Sequence, residues 1–224
     1  MRSVLIDTET TGLDPLLGHR LIEIAAIELR NDLPTGAFFH RLVNPGRKVP
    51  AEASAIHGID DAELADKPSF DAIAAELLAF LGTDPIIAHN APFDFAFLDA
   101  EFVLSGAPPL DRARMIDTLG LAKTLFPGLP NSLDALCRRF AIDLSARETH
   151  NALLDCRLLA AVYLELTGGR QRGLALVHGP AAPEPGAAQY LRRTPRRIVP
   201  TEAEAMRHAA FMARLVGAKL CESG

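Results

Sequence analysis

Three apolar, β-prone runs at residues 3–6, 21–30 and 38–43 open the chain, and the short polar breaks between the last two narrow the choice of topology. Parallel neighbours need a crossover of a dozen or more residues. Breaks as short as Asn31 and Asp32, or the Pro-Thr-Gly at 34–36, therefore favour an antiparallel meander. Near residue 70 the apolar period changes. Phe70, Ile73, Ala74, Leu77, Leu78 and Leu81 fall on one helical face, so the spacing predicts a helix over 70–81. Short strands are predicted at 85–88 and 115–117. Pro92 suits the first turn of a helix running to Phe102, and further helices are predicted over 118–126, 132–140 and 152–166. Ser132 is placed as an N-cap, and Gly168 and Gly169 stop the last helix. A meander followed by alternating short strands and helices is an α/β mixed sheet flanked by helices.

The formal net charge of −5 argues at first sight against a nucleic-acid partner. Divided along the chain, it no longer does. Residues 1–167 carry 24 acidic against 14 basic side chains, whereas residues 168–224 carry four against nine. The basic part opens into a Pro/Gly/Ala stretch at 179–188, which reads as a linker. Arg192, Arg193, Arg196 and Arg197 follow it. Residues 201–220 then show helical spacing in a segment too small to own a core, which needs something to dock on. Asp7 and Glu9 leave no room for an apolar signal-peptide core, and the longest apolar run, 158–164, is far short of a membrane span. The cysteines, Cys137, Cys156 and Cys221, form no CxxC pair and read as buried or incidental thiols of a reducing cytosol.

Part of the acidic excess is patterned. Asp7 and Glu9 are two residues apart at the end of the first strand and project to one face, where an apolar strand should bury apolar groups. Adjacent carboxylates repel unless a cation lies between them, and hard oxygen ligands suit Mg²⁺ or Mn²⁺. Alone, the pair is matched by the alternative of a solvated strand end. Asp94, in the stretch HNAPFD at a strand-to-helix junction, adds a third acid. Asp155, on the last helix of the body, adds a fourth, with His150 five residues before it. On one helix His150 and Asp155 would stand roughly 140° apart. They converge only if His150 lies in the loop before the helix.

These three stretches, DTETTG at 7–12, HNAPFD at 89–94 and HNALLD at 150–155, resemble in order and spacing the motifs of the DEDD-type 3′→5′ exonucleases with a histidine in the third motif. IHGI at 56–59, NSLDALCRRF at 131–140 and VYLELTGG at 162–169 extend the similarity toward the proofreading subunits of bacterial DNA polymerase III, over roughly residues 3–170. The resemblance implies a ribonuclease-H-like fold, which agrees with the mixed sheet, and a two-metal hydrolysis with Mg²⁺ or Mn²⁺ as cofactors. By motif position, Asp7, Glu9, Asp94 and Asp155 would hold the ions, with Asp7 bridging both, and His150 would take the proton of the attacking water. Glu52 and His57 would contact the 3′-terminal nucleotide, and Asn90 and Phe93 would shape the same pocket. Thr10, Thr11 and Ile56 would then judge the sugar.

The resemblance also organises the chain as an exonuclease domain at 1–170, a linker segment at 171–188 and a flexible polymerase-binding tail at 189–224. Gln171, Leu174 and Leu176 match the Q-x-x-L-x-L pattern of a sliding-clamp docking motif. The implied partners are DNA 3′ ends, the catalytic alpha subunit of the polymerase through 189–224, and the clamp through 171–176. The implied setting is cytoplasmic, at the nucleoid and not at a membrane. Two other functions use the same residues: a stand-alone exonuclease on RNA or short oligonucleotides, and a clamp–polymerase adaptor with minor nuclease activity. The former would not need the tail, and the latter would not need an intact acid set.

Overall fold

A computed structural model of the chain describes residues 1–145, 147, 149–168 and 200–220, the last of these with side chains to residue 214. In chain order the elements are β1 (Arg2–Thr10), β2 (Leu21–Arg30), β3 (Leu33–Leu42), α1 (Ala51–His57), α2 (Asp61–Leu64), α3 (Phe70–Leu81), β4 (Ile86–Ala88), α4 (Ala91–Leu104), β5 (Met115–Asp117), α5 (Thr118–Leu125), α6 (Leu133–Arg139), α7 (Ala152–Leu166) and α8 (Glu202–Leu220).

The sheet runs β3-β2-β1-β4-β5. β1, β2 and β3 form the expected antiparallel meander, while β4 and β5 lie parallel to β1. Alternation along β1 divides the core. Val4 and Ile6 face α3 and α4 in a layer with Phe70, Leu77, Phe95 and Phe102. Leu5 faces α7 in a second layer with Leu136, Leu159 and Val162. Asp7 and Glu9 continue the register of Leu5, so they end the α7 face.

Three departures from the expected pattern have physical causes. β1 runs past Ile6 to Thr10 because β2 pairs with it from Arg2 to Thr10, and Asp7 and Glu9 stand on its end, projecting to one face as expected. β3 begins at Leu33. Pro34 and Gly36 lie inside it, which an edge strand tolerates because one of its sides needs no ladder donors. The hairpin break is reduced to Asn31 (φ 52°) and Asp32 (φ 65°), the two left-handed residues that a tight β-hairpin with right-handed twist requires. α1 and α2 have no counterpart in the sequence expectation, and α1 carries Glu52 and His57.

Arg20 grips buried Glu101 of α4 at 2.7 Å through both Nε and Nη2, tying the start of β2 to that helix. Ser132 caps α6, accepting from the Ala135 amide as expected. Cys137 and Cys156 are buried free thiols. Among the described residues no helix is long and apolar enough to cross a membrane. α8 belongs to a separate unit. It opens on a reciprocal cap in which Thr201 N–H donates to Glu204 Oε2 at 2.8 Å and the Glu204 amide donates back to Thr201 Oγ1 at 3.4 Å. Its Met206, Phe211 and Met212 are exposed. The clamp-like residues 171–176, the linker, the four arginines at 192–197 and Cys221 lie outside the described residues.

Candidate active site

The C-terminal end of β1 collects side chains from three other elements. Asp94 enters from the first turn of α4, where Thr8 Oγ1 donates to its Oδ1 at 2.7 Å. That turn is held from below. Asn90 adopts the left-handed conformation (φ 68°), and Asp117 Oδ1, at the end of β5, accepts from the amides of Asn90 and Ala91 at 3.0 and 3.2 Å. Asp155 enters from the first turn of α7, which Asn151 caps by accepting from the Leu154 amide. His150 lies in the loop before that cap, the one position from which it can meet Asp155. Its Nδ1 stands 3.6 Å from Asp155 Oδ2, and its amide donates to Ile56 O at 3.2 Å, joining the third motif to α1.

Asp7, Glu9, Asp94, Asp155, His150 and Phe93 line one cavity of about 590 Å³. A second, of about 550 Å³, is lined by Glu52, Ile56, His57, Thr10, Thr11 and Leu17. Thr8, Glu9, Leu13 and Phe93 line both, so the two adjoin at the end of β1. Asn90 lines neither. It is exposed, and its visible role is the backbone turn that aims Asp94.

The electrostatics of the acidic cavity are those of buried carboxylates crowded together, with the Arg147 guanidinium paired to Asp155. Burial, and then the nearby charges of Asp94, Glu9 and Asp155, push the Asp7 carboxyl well above its usual range. Burial and Glu23 push Glu9 up to about 8. Burial raises Asp94 to about 7 even against the hydrogen bond from Thr8. Such groups favour protons or divalent cations. Donor atoms of Glu9, His150 and Asp155 all lie within 4.8 Å of one another, and oxygen-rich donors of this type fit a hard divalent ion.

The neighbouring cavity carries a different signal. His57 Nδ1 accepts from the Ile59 amide at 3.0 Å, and burial lowers the ring's pKa, so the neutral ring keeps its proton on Nε2. That buried Nε2 has no hydrogen-bond partner among the described residues. An orphaned donor beside Ile56, Leu13 and Phe93 is what a pocket for a base and sugar presents.

Two residues of the site carry no mark in the motifs. Glu23 stands directly across the ladder from Glu9 and is almost fully buried. It accepts from His40 Nε2 at 2.6 Å, Asn151 Nδ2 at 3.0 Å and the Ala152 amide at 3.2 Å, which fixes the start of α7 and hence His150 and Asp155. An acid inside the apolar run 21–30 was the available signal. Glu23→Ala leaves the Asn151 amide and the Ala152 N–H without an acceptor and is expected to lower the melting temperature by about 5 °C. Glu23→Gln, which keeps an acceptor, should recover most of that in a thermal scan. Arg147 is the other unmarked residue. Its Nε and Nη2 donate to the two oxygens of Asp155 at 2.6 and 2.7 Å.

Comparison with known proteins gives consistent matches. A family model described as "Exonuclease" matches residues 4–163. The chain is 44% identical to the DNA polymerase III subunit epsilon of Rickettsia conorii, with 96% of this chain and 97% of that protein covered. It is 41% identical to the Escherichia coli K12 protein of the same name, with 85% and 82% covered. Among solved structures, exonuclease X in complex with 5′ overhanging duplex DNA superposes with a TM-score of 0.59 at 30% identity, covering 73% of this chain and 90% of that one. An E. coli exonuclease I–ssDNA complex superposes at 0.65 and 23% identity, covering 76% and 41%, and shares the fold.

Proposed function

The chain belongs to the exonuclease family of the DNA polymerase III epsilon subunits, and we propose that it proofreads for that polymerase, removing mismatched 3′-terminal nucleotides from DNA by metal-dependent hydrolysis. The observation that carries this reading is the convergence of four carboxylates and His150 at the end of β1, beside a pocket with an unspent His57 donor. Asp7, Glu9, Asp94 and Asp155 would hold two divalent ions, Mg²⁺ or Mn²⁺. Bound there, such ions acidify a water and neutralise charge on the phosphate.

The protein's own groups do the rest. His150, half-exposed at the mouth, receives the proton of the attacking water. His57 Nε2–H donates to the terminal nucleotide, Glu52 at the same wall accepts from it, and Phe93 stacks where the two cavities join. A frayed, mismatched end is favoured because less pairing must be broken to seat its last nucleotide. The polymerase alpha subunit is taken to bind through 189–224, where α8 presents exposed apolar residues, and the clamp through Gln171, Leu174 and Leu176. A tether keeps the nuclease at high effective concentration near the primer end. The protein would act in the cytoplasm, at the nucleoid.

The purified chain is tested on matched and mismatched 3′ DNA ends and on RNA, in Mg²⁺, Mn²⁺ or chelator. Mononucleotides should leave from the 3′ end, faster from the mismatch, and not at all in chelator. Truncation after residue 177 should spare this activity and abolish co-elution with the polymerase. Chelator-resistant hydrolysis would overturn the mechanism, and preference for RNA would replace proofreading with a stand-alone RNA exonuclease.

A further inference from the structure

We propose that Arg147 is a resident cation of the acidic cavity, which yields Asp155 to a divalent ion and then meets the substrate phosphate; this rests on the metal-dependent reading above. The guanidinium is nine-tenths buried and grips both oxygens of Asp155 in the forked geometry that Arg alone provides. Nη2 also lies 3.0 Å from His150 Nδ1. A single side chain therefore occupies both the carboxylate assigned to the metal and one nitrogen of the ring assigned to the water.

Full coordination of Asp155 and this fork exclude each other. The same oxygens would serve two cations, and the like charges of guanidinium and metal would stand within a few ångströms in a poorly screened cavity. The side chain has somewhere to go. Nη1 is held by Asp134, which lies at the start of α6 and is more exposed than Asp155, so this contact can act as a pivot while Nε and Nη2 swing free. No other Arg or Lys lines either cavity among the described residues, so Arg147 is the side-chain cation available to an incoming phosphate there. In this arrangement Arg147 neutralises the acids, sets the threshold for loading metal, and ties release of His150 to the same exchange.

Titration calorimetry on the full chain tests this, first with Mn²⁺ and then with thymidine 5′-monophosphate at saturating Mn²⁺. Arg147→Met should bind Mn²⁺ about tenfold more tightly than wild type and the nucleotide about tenfold more weakly, the size of one charge-assisted hydrogen bond made or broken. Arg147→Lys, which keeps the charge but not the fork, should fall between on both measures and guards against a folding defect in the Met variant. Asp134→Asn, which takes away the anchor that retains the displaced guanidinium, should weaken Mn²⁺ binding. Mn²⁺ affinity in Arg147→Met that equals or falls below wild type, or undiminished nucleotide binding, overturns the proposal. If wild type itself binds no Mn²⁺ and releases no nucleotide, the metal-dependent reading fails instead, and the inference with it.

Discussion

Asp7→Asn is expected to lower 3′ hydrolysis by about a thousandfold or more while raising the melting temperature measured in chelator. The first effect follows from the role proposed for Asp7 as a carboxylate that would hold metal, where a lost ligand would remove several kcal/mol of charge stabilisation in the transition state. The second follows from the crowding of buried carboxyls. Asp7 lies well above its ordinary range because of burial and the charges of Asp94, Glu9 and Asp155, and Glu9 and Asp94 are raised to about 8 and about 7. A carboxyl raised in the fold binds a proton there that the unfolded chain has already lost. Its stabilising contribution is whole below the ordinary carboxylate pKa and disappears as pH climbs through the raised value. In chelator the wild-type protein should therefore melt progressively lower between about pH 4.5 and pH 8. Mn²⁺ should restore most of the loss. Asn keeps the volume of Asp and removes one of the repelling charges, so its melting curve should depend less on pH and stand above wild type at pH 8. A variant that melts lower than wild type in chelator, or that keeps activity within tenfold, would contradict this picture of the site.

The sheet was legible in the sequence because its signals are local. Short breaks force a hairpin, and the apolar period changes where strands give way to helices. α1 was not legible for the converse reason. Seven residues with three alanines and a serine make no periodic face, and the helix is anchored by contacts distant in sequence, the Ile56 carbonyl receiving the His150 amide and Gly58 (φ 79°) lying beside Thr149. The acids were readable since a charge at the end of an apolar strand is conspicuous. Glu23 was equally conspicuous inside β2, yet its partners Asn151 and Ala152 lie more than 120 residues away, so its part in holding α7 emerges only in three dimensions. Arg147 had no local mark at all. An arginine in a polar loop reads as solvated until the loop is seen folded over Asp155.

His150→Ala separates the two tasks that its ring could perform. A general base contributes roughly 10²–10⁴-fold to a proton-transfer step, so kcat should fall in that range with little change in KM. The fold should tolerate the change. The ring is half-exposed, and its neighbours Arg147 and Asp155 keep each other. The complication is that His150 also lies within ligand distance of Glu9 and Asp155, so loss of activity by itself does not distinguish a base from a metal ligand. Mn²⁺ affinity does. For a base it stays near wild type, whereas for a ligand it falls in parallel with kcat. Added imidazole sharpens the distinction, because a small base can enter the space left by the ring and accept the proton of water. Rescue of kcat by imidazole at unchanged Mn²⁺ affinity is the expected result, and joint loss of Mn²⁺ binding and activity would reassign His150 to the metal.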